Sequence, residues 1–134
     1  MKTEKIIKLP KFGDYRGNLS FIEEFSQVPF KILRTYWLYD EFGEQIGVGH
    51  AYKKQEEFIV VLSGSVEIEI DTGQRINTYT LNQPNFGLYI PPNLWRRKRS
   101  ILKNSLVLIV SSTFFDDKDY VRDYLEFKKD KSGI

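Results

Sequence analysis

Residues 49–65, GHAYKKQEEFIVVLSGS, decide how the chain is read. His50 and Tyr52 stand two apart, so in a strand both side chains project from one face. Glu57 follows, and then a continuous apolar run over 58–62, the pattern of a strand buried on both sides. Gly64 turns the chain into Val66-Glu67-Ile68-Glu69-Ile70, whose apolar/charged alternation fits a strand with one wet face. If the inner face carries His50 and Tyr52, the two share a pocket.

The same reading extends in both directions. Residues 71–73 (DTG) close the alternating strand, and 75–81 (RINTYTL) read as its hairpin return. Further strands are expected around 86–90 and 106–111. Upstream, 31–39 (KILRTYWLY) is rich in aromatic and β-branched residues, and Phe21/Glu23 alternate with Ile22/Glu24 after a turn over 14–18. Only the tail has a helical period: Asp117 or Asp119 caps a segment with Tyr120, Tyr124 and Phe127 at i, i+4, i+7, and the final KKDKSG frays. About ten short strands and one terminal helix predict an all-β double-stranded β-helix, or jelly roll, as one domain over 1–134.

Composition bounds the function. A chain of 134 residues buries a core without staples. The net charge of +2 is too mild to argue for nucleic acid, although residues 96–99 (RRKR) form a basic run that can meet a phosphate. With no cysteine there is no disulfide, thiol catalysis or Cys-ligated zinc. No run approaches the ~20 apolar residues of a membrane span, and residues 1–14 lack a signal-peptide core. The expectation is a cytoplasmic protein with no nucleic-acid or membrane partner.

The opening stretch has the outline of a cupin metal motif, His-x-His, then Glu, then Gly, with Tyr52 where the second histidine belongs. His50 is the one histidine in the chain. A second cupin motif would end in histidine within GLYIPPNLWRR, and Arg96 takes that position. One imidazole, one carboxylate, a phenol and a permanent cation suit a divalent ion poorly. The expectation is no metal and no cofactor, and a cationic, aromatic pocket for an anionic organic ligand.

Order and spacing of short motifs carry a resemblance. The chain has Arg16-Gly17-Asn18-Leu19 leading to Glu23, Pro29-Phe30-Lys31-Ile32-Leu33-Arg34-Thr35-Tyr36, Gly64-Ser65, Gly87-Leu88-Tyr89 before Trp95, and a tail from Phe115-Asp116 to Asp119-Tyr120-Val121-Arg122-Asp123-Tyr124. In these it resembles the cupin-type dTDP-sugar 3,4-ketoisomerases, also grouped as WxcM-like. The resemblance implies an RmlC-like cupin fold, a homodimer, and a metal-free isomerase of a dTDP-4-keto-6-deoxyhexose in deoxysugar biosynthesis, as for O-antigen or S-layer glycan. It also implies that the strand the family writes His-Ala-His-Lys supplies acid and base. Here it reads His50-Ala51-Tyr52-Lys53, and Gly47-Val48 replaces the family's preceding Arg-Gly.

On this reading His50 is the base and Tyr52 its partner acid or relay, with Arg16, Arg34 and Arg96 available to lower the phenol's pKa. Arg34 either binds pyrophosphate or pairs with Glu23 or Glu57. Arg16 is a solvated turn cation or a sugar or phosphate contact, and Arg96 faces the sugar or lies on the rim. Tyr36, Trp37 and Tyr89 stack on thymine or fill the core. Glu57 orients His50 or Tyr52, or satisfies Arg34. The alternatives are a catalytically silent nucleotide-sugar-binding cupin and a 3/5-epimerase, since the related dTDP-4-dehydrorhamnose 3,5-epimerases use a His/Tyr pair.

Overall fold

A computed structural model describes residues 2–40 and 47–132. In chain order the first six strands are β1 (Lys5–Lys8), β2 (Lys11–Asp14), β3 (Gly17–Ser20), β4 (Arg34–Leu38), β5 (Ala51–Tyr52) and β6 (Glu57–Ser63). They are followed by β7 (Val66–Asp71), β8 (Ile76–Leu81), β9 (Phe86–Ile90), β10 (Trp95–Ile101), β11 (Leu106–Ser111) and β12 (Tyr120–Val121). Helix α1 (Tyr124–Ser132) ends the described chain.

Two antiparallel sheets face each other. One has five strands in the order β1-β9-β6-β11-β4, the other three in the order β10-β7-β8. The non-sequential order is that of a jelly roll. The core between them takes alternate residues from each strand: Ile59 and Val61, Val66, Ile68 and Ile70, Leu88 and Ile90, Val107 and Ile109. Burying each such side chain is worth about 1.5–3 kcal/mol.

The apolar run in β6 is buried on both sides because β6 is the centre of its sheet. Phe58 and Val60, pointing the other way, pack under Leu9, Val28 and Phe30 in a second cluster on the outer face. Gly64 makes the β6–β7 turn at φ +97, and a Cβ there would stand 2.2 Å from Ser105 Oγ.

Strand expectations over 58–62, 66–70, 75–81, 86–90 and 106–111 agree with β6, β7, β8, β9 and β11 to within a residue or so at each end. Three others change. The strand over 31–39 shrinks to β4, whose pairing with β11 runs from Arg34 to Leu38. Residues 21–24 leave the ladder after β3, with Glu24 making a lone bridge to Val28.

The helical period over Tyr120, Tyr124 and Phe127 is also broken. Tyr120 pairs with Tyr52 as a strand, so the helix starts only at Tyr124 and continues to Ser132 through residues expected to fray. Tyr124 meets Trp95 edge to face and Phe127 tilts against it, which anchors that helix. No helix among the described residues is long and apolar enough to cross a membrane.

Candidate active site

Between the sheets, at the end where β5 and β12 pair, lies a cavity of about 350 Å³. Its polar wall is made by Tyr36, His50, Tyr52, Glu57, Arg96 and Tyr120, and its floor by core residues such as Ile59 and Ile109. A wider groove of about 730 Å³ lies on the outer face of the five-stranded sheet, but Lys11 is the one titratable side chain in its lining. The smaller cavity, where ionisable groups converge on a concave apolar site, is the place for chemistry.

Backbone pairing delivers His50 there. Its N–H donates to the Arg96 carbonyl at 3.0 Å and its carbonyl accepts from the Arg96 N–H at 2.9 Å. Gly49 makes that approach possible: it sits at φ +89, and a Cβ would come within 2.5 Å of the Arg96 carbonyl oxygen. Tyr52 is held by β12 on one side, while its carbonyl accepts from Asn93 N–H at 2.7 Å on the other. The rings of His50 and Tyr52 meet edge to face with centroids 4.9 Å apart, as their i, i+2 spacing required.

The electrostatics are set by a buried ion pair. Arg96 is 5% exposed and Glu57 2%. The Arg96 guanidinium donates to Glu57, and to the Leu94 carbonyl at 3.1 Å, while its Nε has no partner among the described residues. Gln55 Nε2 donates to the other Glu57 oxygen at 2.9 Å. Arg96 also stands over the Tyr52 ring, 4.9 Å from its centroid. Arg96 therefore belongs to the pocket wall and not to the rim, and Glu57 pairs with it rather than with Arg34. Arg97 pairs with Glu69 at 2.7 Å, and both it and Lys98 also edge the cavity.

Burial first, and then the Arg96 charge, push the His50 imidazole down to about 4, against a smaller pull from Glu57. The ring is neutral at neutral pH and free to accept a proton. Burial, followed by the Glu57 charge, pushes the Tyr52 phenol well above its ordinary value, and the Tyr36 phenol rises for the same two reasons. This corrects the expectation that arginines lower Tyr52. Arg96, the cation over the ring among the described residues, is paired with Glu57, so Tyr52 is a protonated donor.

The remaining expected residues separate. Arg34 stacks on Tyr36 at 4.9 Å and on Phe115 at 5.6 Å, and donates to Gln55 Oε1 at 3.0 Å. Among the described residues its buried Nε has no hydrogen-bond partner and no carboxylate pairs with it.

Arg16 lies on the β2–β3 hairpin outside the cavity, its guanidinium tied to Asp14 at 2.7 Å. Tyr89 points to the outer face, since its neighbours Leu88 and Ile90 point inward. Its ring packs on Phe30 and its hydroxyl donates to Glu56. The structure thus brings His50, Tyr52, Tyr36, Glu57 and Arg96 together, with Arg34 adjoining and Arg16 and Tyr89 elsewhere.

Three residues escaped the sequence reading. Tyr120 lines the cavity, its ring 4.6 Å from Tyr52 and 5.4 Å from His50. Gln55 joins Arg34 to Glu57. The buried Asp119 carboxylate accepts from Lys54 N–H at 2.7 Å and Gln55 N–H at 3.0 Å, fixing the turn after β5. The tail motif contained Tyr120 and Asp119, but helical periodicity assigned them to packing and capping.

Comparisons with known proteins find relatives along nearly the whole chain. A family model described as FdtA: WxcM-like, C-terminal, matches residues 2–132. A TDP-4-oxo-6-deoxy-alpha-D-glucose-3,4-oxoisomerase from Aneurinibacillus thermoaerophilus is 38% identical over 125 residues, 93% of this chain and 90% of that protein. The crystal structure of the WlaRB TDP-quinovose 3,4-ketoisomerase from Campylobacter jejuni is 34% identical with a TM-score of 0.92, covering 96% of this chain and 99% of that one. QdtA, a sugar 3,4-ketoisomerase from Thermoanaerobacterium thermosaccharolyticum solved with TDP, is 28% identical with a TM-score of 0.93, covering 98% and 96%.

Proposed function

Because the chain belongs to the FdtA, WxcM-like family, we propose that its cavity isomerises a dTDP-linked 4-keto-6-deoxyhexose by moving the keto group from C4 to C3. The chain is a nucleotide-sugar isomerase of the 3,4-ketoisomerase type in deoxysugar biosynthesis. Its relatives bear the names of ketoisomerases, which favours this reaction over an epimerisation and over a silent binding module.

The observation that carries the residue roles is a neutral, buried imidazole set edge to face against a protonated phenol, beside a guanidinium. In the proposed mechanism neutral His50 takes the C3 proton, and the electrons pass through the C3–C4 bond to the C4 oxygen. Tyr52 donates a hydrogen bond to that oxygen as charge develops on it. The enediolate that forms is stabilised by the adjacent His50 imidazolium and by the Tyr52 hydrogen bond, while the Arg96–Glu57 pair holds the Tyr52 ring in place. His50 then returns the proton to C4. Tyr36 contacts the sugar from the β4 side, and the open Nε of Arg34 serves a phosphate oxygen. Glu57, the one cavity carboxylate among the described residues, is engaged by Arg96, so its oxygens face a guanidinium.

We read the working form as a cytoplasmic homodimer of one cupin domain over 1–134. Phe12 and Leu19 on the β2–β3 hairpin and Trp37 on β4 are more than half exposed, which suits a self-complementary contact. Arg16 remains a substrate contact only through such a dimer. A monomer in sedimentation at micromolar concentration would remove both statements.

The test of the reaction is proton NMR in deuterated buffer with dTDP-4-keto-6-deoxyglucose. The expected outcome is a 3-keto product carrying deuterium drawn from solvent. Exchange without that product indicates an epimerase, and binding without exchange overturns the isomerase reading.

A further inference from the structure

The run Gln55-Glu56-Glu57 sends its three side chains to different tasks. Glu56 faces outward and accepts from the Tyr89 hydroxyl. Gln55 and Glu57, two apart, share the other face, and each is 2% exposed. Glu57 is the carboxylate of Arg96. Arg34, the second guanidinium on this side, meets an amide where Arg96 meets a carboxylate.

The direction of that amide is forced. A carboxylate only accepts, so the Gln55 Nε2 group must face Glu57, where it donates at 2.9 Å. Its Oε1 is thereby turned to Arg34 Nη2 at 3.0 Å and to the Thr113 hydroxyl at 3.0 Å. Thr113 is tied by its N–H to the buried Ser111, and the Gln55 N–H is tied to Asp119. The result is one hydrogen-bonded chain, Arg34–Gln55–Glu57–Arg96, that holds two cations and one anion.

An amide carbonyl satisfies a guanidinium donor and leaves the charge in place, whereas a carboxylate satisfies the donor and cancels the charge. Glu57 is committed to Arg96, so the unbalanced charge of this chain lies at Arg34. The buried Nε of Arg34 has no hydrogen-bond partner among the described residues. Tyr36 joins the two ends, since its ring lines the cavity and carries the Arg34 guanidinium 4.9 Å from its centroid.

Resting on the reading of the cavity as a nucleotide-sugar site, we propose that Gln55 is a positioning residue for the diphosphate. It touches no ligand atom. It holds the Arg34 guanidinium in place with its charge intact and keeps Glu57 committed to Arg96. The ligand is thereby given a direction: its anionic part is drawn to Arg34, and its uncharged sugar is left to the end where Arg96 is already paired and His50 and Tyr52 stand.

The test compares dTDP with thymidine, which lacks the diphosphate, by calorimetry and NMR titration at about pH 8, where a carboxylate beside Arg34 is ionised. Gln55→Glu has the same shape and sets an anion against Arg34. It is expected to weaken dTDP about 10- to 100-fold and thymidine by less than about threefold. Gln55→Met removes the hydrogen bonds and spares the charge, so its expected loss for dTDP is smaller, about three- to tenfold. With dTDP-4-keto-6-deoxyglucose, Gln55→Glu should raise KM more than it lowers kcat. In an Arg34→Met background the same change should cost no more than about threefold in dTDP affinity.

Equal weakening of dTDP and thymidine, or the same cost with and without Arg34, would overturn the proposal, because either describes a glutamine that merely supports the fold. Should Gln55→Glu fail to fold, Gln55→Met decides by the same comparison: loss of dTDP alone supports the proposal, and loss of both ligands or of neither overturns it. Arg34→Met by itself separates the two levels. If dTDP binding survives it, the phosphate assignment of Arg34 fails and this inference with it. If it weakens dTDP while the Gln55 variants do not, only the role of Gln55 is struck.

Discussion

The two faces of the five-stranded sheet carry the same pair of side chains to different ends. On the inner face Tyr36 and Glu57 stand beside a cavity, and on the outer face Tyr89 and Glu56 stand beside a packed cluster. The outer pair satisfies itself, the Tyr89 hydroxyl donating to a carboxylate that also meets Lys2 at 3.4 Å. The inner carboxylate is instead claimed by Arg96 and Gln55, which leaves phenols and an imidazole turned toward open space. Chemistry needs polar groups that converge on a space a substrate can enter, and only one face provides it.

The largest expected break of that contrast is His50→Ala, which should reduce turnover by about 10³-fold or more. Binding of dTDP, measured by calorimetry, should stay within about threefold. Weak binding with unchanged turnover per bound complex would reassign His50 to substrate holding.

Glu57→Gln comes next, because it strands a buried guanidinium. Urea unfolding should show a loss of about 3–5 kcal/mol, against less than about 1 kcal/mol for Glu56→Gln on the outer face.

The pH dependence separates the faces more finely. His50 has an ordinary value of 6.5 and is held at about 4 in the fold. Between those values the unfolded chain binds the extra proton, so stability is full above about 6.5 and falls as pH drops toward 4. A pH series of urea midpoints should lose much of that slope in His50→Asn. The acid limb of kcat/KM should likewise fall nearer 4 than 6.5. A small effect is also expected of Tyr89→Phe, about 1 kcal/mol from one hydrogen bond with kcat unchanged. A large fall in kcat would restore Tyr89 to the site.

Local patterning reached far into this fold. Period-two alternation and the turn at Gly64 located β6, β7 and β8 because those strands are long and each has a defined burial pattern. It failed at β12, two residues long, where aromatic spacing imitated a helix. A two-residue strand has no period to read. Its identity comes from the partner β5, nearly seventy positions earlier, and with it went the chance to see Tyr120 as a site residue. Tyr89 misled for the opposite reason, since a motif preserves sequence order and says nothing about which face a residue occupies.

What the sequence alone determined was the chemical inventory and the architecture: a single imidazole, its i, i+2 phenol, and strands whose alternation admits few arrangements other than two packed sheets. The tertiary structure decided the charge states and the partnerships. Glu57 could have served His50, Tyr52 or Arg34, and the pairing of β10 with β7, together with the lone bridge from His50 to Arg96, gave it to Arg96. That contact fixes whether the neighbouring phenol is a donor or an anion. Electrostatic energy depends on distances across strands that no local spacing encodes.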